Sequence, residues 1–141
     1  LTDHHTTAKV KICKVDSETK GAAQGDASLA GAVYGLYARE DIMHPDGVTG
    51  ILYHAGDLAA TTTTDMNGEG YFENLYLGRY YVKEMEASEG YLLDTEEHDV
   101  SCDYEGDMVA EVFRSTTSEE QVMKQPFQMA GISSVLSFLG F

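Results

Sequence analysis

Three stretches of the chain alternate residue character with a period of two, and no other feature constrains the fold as strongly. In KVKICKVD (residues 9–16), Val10, Ile12 and Lys14 share one face while Lys9, Lys11 and Cys13 share the other. AVYGLYARE gathers Ala32, Tyr34, Leu36 and Ala38, and GRYYVKEME gathers Tyr80, Val82 and Glu84. Such a period makes half-buried strands, and the β-branched run Thr61 to Thr64 also favours extended backbone. Turn signals separate the strands: the Gly- and Ser-rich loop SETKGAAQGDASLAG, the excursion DIMHPDGVTG, the Asn-Gly of DMNGEG and a break at Gly78. A last hairpin is expected to turn at Glu105-Gly106-Asp107, and a short helix fits only near HAGDLAA. Short strands at this spacing predict an all-β sandwich of about seven to nine strands with at most one short helix.

The 141 residues suffice for one domain with a real core. Acidic residues number 24 against 9 basic ones, a formal net charge of −15. Nucleic acid is excluded as a natural partner, since phosphate contacts need Lys and Arg, and anionic membrane surfaces are disfavoured for the same reason. No apolar run is long enough to span a bilayer, so no membrane insertion is expected of what reads as a mature fragment. Cys13 and Cys102 are too few for a disulfide framework and are expected to remain unpaired thiols.

Against this regular pattern stand two ionisable residues. Lys14 ends an apolar, inward-pointing series on the first strand, and Glu84 ends another on a middle strand. Neither type is ordinarily buried without a partner, so opposite charges at equivalent inward positions invite pairing in the core.

These same residues carry a family resemblance. ICKVDSET, then LAGAVYGLY, then TTTTDMNGEGYFENLYLGRYYVKEMEASEGYLLD resemble the collagen-adhesin B-type repeat, a prealbumin-like module of Gram-positive adhesins and pilins, SpaA-type pilins included. The likeness covers about residues 8–118, after a polar leader at 1–7. It implies a covalent cross-link in which a first-strand lysine attacks a side-chain amide or carboxyl on the last strand, assisted by a glutamate. Lys14 matches that lysine and Glu84 that glutamate. Burial favours the neutral, nucleophilic amine and raises a carboxyl's pKa, so that Glu84 can polarise the acceptor and shuttle protons, while the folded core supplies proximity.

The family's acceptor, an Asn or Asp near the end of the final strand, has no counterpart in DMVAEVFRSTTSEE. Its position falls at Arg114 or Ser115, which cannot accept a lysine nitrogen; Asn67 and Asn74 lie far earlier, and Asp103, Asp107 and Glu111 are wrongly spaced. The expectation is a degenerate site that holds Lys14 against Glu84 as a buried or half-buried ion pair. The final strand is expected to end before Ser118. Residues 119–141 resemble a linker and the start of a following repeat, with Gly131 where the next lysine would stand.

Other motifs lead nowhere further. Asp65, Asn67 and Glu69 imitate a calcium loop without its terminal Glu, and the five histidines show no zinc spacing. No hydrolase, kinase or phosphate-loop motif occurs, so no cofactor, metal or external substrate is expected, and at most a single-turnover self-cross-link. The function implied is a structural stalk or spacer of an adhesin or pilin-like protein, secreted to the cell wall of a Gram-positive bacterium, with neighbouring repeats as partners. The rival is an adhesin module that recognises a host matrix protein or glycan through loops at residues 39–57, with Tyr37, Tyr53 and His54 the first to scan. A regulatory sandwich appended to an enzyme is a third class.

Overall fold

Alternating strands become a fold by stacking their apolar faces. The computed structural model describes residues 6–106 and 108–123. Nine strands occur among them: β1 (Thr7–Asp16), β2 (Val33–Ala38), β3 (Ile42–Met43), β4 (Ile51–Tyr53), β5 (Leu58–Thr63), β6 (Glu69–Leu75), β7 (Gly78–Glu86), β8 (His98–Cys102) and β9 (Glu111–Glu120). One sheet has the order β6-β1-β9, the facing one β5-β2-β7-β8, and β3-β4 form a small ribbon. No described residue is helical; HAGDLAA makes a turn in which Asp57 N–H donates to His54 O, then enters β5.

The core lies between the sheets. Val10, Ile12, Phe72 and Val112 from the first meet Tyr34, Leu36, Tyr80 and Val82 from the second, all at most 1% exposed. On β1 the alternation is unbroken, and every second residue from Ala8 to Asp16 is buried. The all-β sandwich expected from the periodicity is therefore what forms.

Two connections, the Asn-Gly turn of DMNGEG and the one expected to be a hairpin at 105–107, pass between the sheets. In DMNGEG the Asp65 carboxylate accepts the N–H groups of Asn67 and Glu69, yet β5 pairs with β2 and β6 with β1. Gly68 takes φ +79°, and a Cβ there would fall 2.3 Å from the Lys14 carbonyl oxygen. Its own carbonyl accepts the Lys14 N–H at 2.7 Å, so this turn anchors the backbone of β1 at Lys14. At the 105–107 connection, β8 pairs with β7 while β9 lies parallel to β1 in the other sheet. In both places a local turn signal is outweighed by the need to cover two layers.

Strand β9 also runs further than expected. Its register with β1 extends from Thr7↔Glu111 through Lys14↔Ser118 to Asp16↔Glu120, and Val122 still bridges to Tyr91. The first residues of the leader, Asp107 and everything from 124 onward, Gly131 included, lie outside the described residues.

Candidate functional site

Three strands converge on one buried site. Lys14 on β1, Glu84 on β7 and Glu120 on β9 are 0%, 2% and 2% exposed. Inward alternation along β1 places Lys14 one step beyond Ile12, and the same rule on β7 places Glu84 one step beyond Val82. On β9, Glu120 follows Ser118 on the inward side. Lys14 Nζ donates a hydrogen bond to Glu120 Oε1 and lies 3.6 Å from Glu84 Oε2.

The surroundings complete the cage. Tyr34 OH donates to Glu120 Oε2 at 2.5 Å, and Ser118 Oγ lies 3.1 Å from that oxygen. The Asp94 N–H donates to Glu84 Oε1 at 2.8 Å. Lys14 Nζ sits 4.4 Å from the centre of the Tyr91 ring, a cation–π distance, while Tyr91 OH donates to Asp16 Oδ2 at 2.7 Å. Glu84 Oε2 is the one buried side-chain polar atom among the described residues without a hydrogen bond.

One amine and two carboxyls in a core cannot all be charged without a large desolvation penalty. Burial, reinforced by the neighbouring Glu120 carboxyl, pushes Glu84 up to about 8, against the pull of Lys14. The shift favours the protonated form of Glu84, which gives its orphaned oxygen a hydrogen to donate and equips it to give and take a proton. Burial raises the Tyr34 phenol far above its ordinary value, so it remains a hydrogen-bond donor. Burial works against Asp16, yet bonds from Gln24, Tyr91 and the backbone of Glu18 and Thr19 hold it down at about 2. An amine against a carboxyl, with a protonated acid beside both, is the arrangement that amide condensation needs.

The all-β architecture accords with what comparison with known proteins finds. The family model for the SpaA prealbumin-like fold domain matches residues 8–116. The chain belongs to that family. Among solved structures, the Bacillus anthracis TIE protein superposes with TM-score 0.59 and 20% identity, over 86% of this chain and 18% of the other. The major pilin SpaD of Corynebacterium diphtheriae gives 0.56 and 16%, over 86% and 32%. GBS52, the minor pilin of Streptococcus agalactiae, gives 0.53 and 26%, over 89% and 48%. This SpaA-type chain thus spans less than half the length of each of these three chains. Comparison with curated protein sequences finds no match.

The structure brings Lys14 and Glu84 together, as their inward positions implied. It places neither Arg114 nor Ser115 beside them: Arg114 pairs with Glu105 near the surface, and Ser115 is exposed. Glu120 occupies the place next to Lys14 and had gone unnoticed, because the strand was expected to stop before Ser118. Counting by twos from buried Val112 reaches Ser118 and Glu120, so the signal was there. Tyr34 was recognised only as an inward residue, and Asp94 carried no signal, lying on the segment between β7 and β8. Cys13 and Cys102 are free, on different sheets. Of the loop-side residues, Tyr37 is occupied in a stack with Tyr81 and Tyr53 packs against the core. Asp94, Glu96 and His98 carry metal-type donor atoms within 4.8 Å of one another, but Asp94 Oδ2 and His98 Nε2 already bond each other at 2.8 Å.

Proposed function

We propose that this domain is a load-bearing spacer of a pilin-like or adhesin protein on a Gram-positive cell surface. In this reading the side chains of Lys14 and Glu120 condense into an intramolecular amide. The observation that carries the proposal is the buried contact of Lys14 with Glu120, beside Glu84, joining the first strand to the last. Those residues are 106 positions apart. A bond between them takes almost the whole sandwich out of the line of force, because tension entering at β1 leaves at β9 through the cross-link. By analogy with a disulfide closing a loop of that length, it also stabilises by about 5 kcal/mol through the unfolded state.

The chemistry follows from the geometry. The neutral amine of Lys14 adds to Cδ of Glu120 in its acid form, Glu84 carries one amine hydrogen to the hydroxyl oxygen of that acid, and this oxygen leaves with both hydrogens as water. Amide condensation in bulk water is unfavourable and slow; exclusion of water and fixed proximity reverse both handicaps. Neighbouring repeats of the same polypeptide are the natural partners, and the pilin neighbours support that reading through their shared fold.

Single-molecule extension tests the role. Pulled by handles at its ends, the domain should not release the segment between residues 14 and 120, whereas Lys14→Met should release it, at about 3.5 Å per residue. Equal extension of both chains would remove the load-bearing role.

A further inference from the structure

The reaction above has a difficulty that an amide acceptor does not share: a carboxylate anion resists attack by an amine, so Glu120 must be held as a neutral acid. The side chains behind it address this. Ser118 is fully buried, and its hydroxyl oxygen stands 2.6 Å from Asp94 Oδ2 and 3.1 Å from Glu120 Oε2. A serine hydroxyl has one hydrogen and cannot donate to both. Asp94 is the stronger claimant. Although burial opposes it, hydrogen bonds from Ser118, His98 and the Glu96 backbone hold it below its ordinary value, as a carboxylate. The distance to it is also the shorter. With its hydrogen committed to Asp94, Ser118 turns a lone pair toward Glu120 Oε2, and a hydrogen bond between them requires the hydrogen to sit on Glu120.

Tyr34 is compatible with the same assignment from the other side. Its hydroxyl donates to Oε2, so that oxygen accepts one hydrogen bond and donates another, as the hydroxyl of a carboxylic acid does. The remaining oxygen, Oε1, faces Lys14 Nζ as the carbonyl. We infer that Ser118, oriented by Asp94 and His98, is a positioning residue that keeps Glu120 in its neutral acid form and marks Oε2 as the leaving oxygen. This rests on the cross-link reading. The Nζ–Cδ bond forms from the nitrogen lone pair and the Cδ–Oε2 bond breaks with its electrons on oxygen. One amine hydrogen, passed by Glu84, joins the hydrogen already on Oε2, and water departs. A cavity of about 570 Å³ lined by Asp94, Glu96, His98, Thr117, Glu120 and Gln121 adjoins this side and offers the water an outlet.

The other groups around Glu120 are Lys14 from β1, Tyr34 from β2, Glu84 from β7 and the Tyr91 ring, with Asp16 behind that ring. Ser118 is the acceptor that Asp94 orients toward Oε2, so its removal should slow formation of the cross-link.

The test follows cross-linking in time: the full chain is made by cell-free synthesis at set pH, quenched in acidic denaturant and weighed intact. Ser118→Ala and Asp94→Asn should each slow the loss of water by about tenfold or more, the effect of one lost buried hydrogen bond, and Ser118→Thr should restore it. The decisive arm is Glu120→Gln, which loses ammonia instead and has no acid to hold neutral. In that background Ser118→Ala should change the rate by less than about twofold. Wild-type kinetics in Ser118→Ala, or equal slowing in both backgrounds, would overturn the inference while the cross-link stands. A folded wild-type chain that keeps its full sequence mass would overturn the cross-link and this inference together.

Discussion

The two ends of the sandwich interior are built by the same strands on opposite principles. Toward one end β1 contributes Ala8, Val10 and Ile12, β7 contributes Tyr80 and Val82, and β9 contributes Val112. Toward the other end the same inward faces carry Lys14 and Asp16, Glu84, and Ser118 and Glu120, all buried. The apolar end is a hydrophobic core in the ordinary sense, where each buried side chain adds about 1.5–3 kcal/mol. The polar end repeats the geometry without that gain, since desolvation offsets the attraction between its charges. A chain that only had to fold would have continued with valine and isoleucine. The proposed cross-link between Lys14 and Glu120 accounts for the departure.

Breaking the polar end should have the larger effect, because the proposed covalent closure is lost with it. Lys14→Met should lower stability to chemical denaturation by about 5 kcal/mol or more, from loop closure together with two carboxyls left facing each other. At the apolar end, Phe72→Ala should cost about 3–5 kcal/mol through the cavity it leaves, while the intact mass stays that of the cross-linked form. Next in size is a rescue. Adding Glu84→Leu and Glu120→Leu to Lys14→Met should recover about 1–4 kcal/mol, measured by the same denaturation, because an all-apolar end is easier to bury than a broken ionic one.

The pH dependence sharpens the contrast within the polar end. Glu84 binds its proton in the folded state up to about 8, whereas in the unfolded chain it releases it near 4.5. The folded state therefore holds more protons between those values, and stability must fall as pH rises through that window. In the Lys14→Met background, where the opposing pull of Lys14 is absent, the melting temperature should decline from pH 5 to pH 8. Adding Glu84→Gln should flatten the decline. Asp16 acts in the opposite sense: held at about 2 against an ordinary 3.8, its contribution is present above that ordinary value and lost as pH falls toward 2. Smallest of all, Cys13→Ser should change stability by about 0.5 kcal/mol or less, since Cys13 is a free thiol outside the core.

What was legible in the sequence follows from the range of each signal. Alternation is local, so the inward positions of Lys14, Glu84 and Tyr34 were readable, and with them the sandwich. The reach of β9 was not. TTSEE is polar and resembles a linker, and what keeps it extended is parallel pairing with β1 roughly a hundred positions away in the chain, as Lys14↔Ser118 and Asp16↔Glu120. The cost of ending the strand early was Glu120 itself. Asp94 was beyond reach for another reason: it enters the site from an irregular segment, held by its own N–H on Glu84 and by Ser118. The local turn signals at DMNGEG and 105–107 did not fix the strands' partners, which depend on which layer each strand must cover.

The central claim is that Lys14 and Glu120 are joined, and a branched peptide is its most direct test. The folded chain, weighed intact, should be lighter than its sequence by one water. After proteolysis, fragmentation should find one peptide in which the segment around Lys14 is attached through its side chain to the segment ending at Glu120. Recovery of the two segments as separate linear peptides, from a folded chain of full sequence mass, would contradict the account.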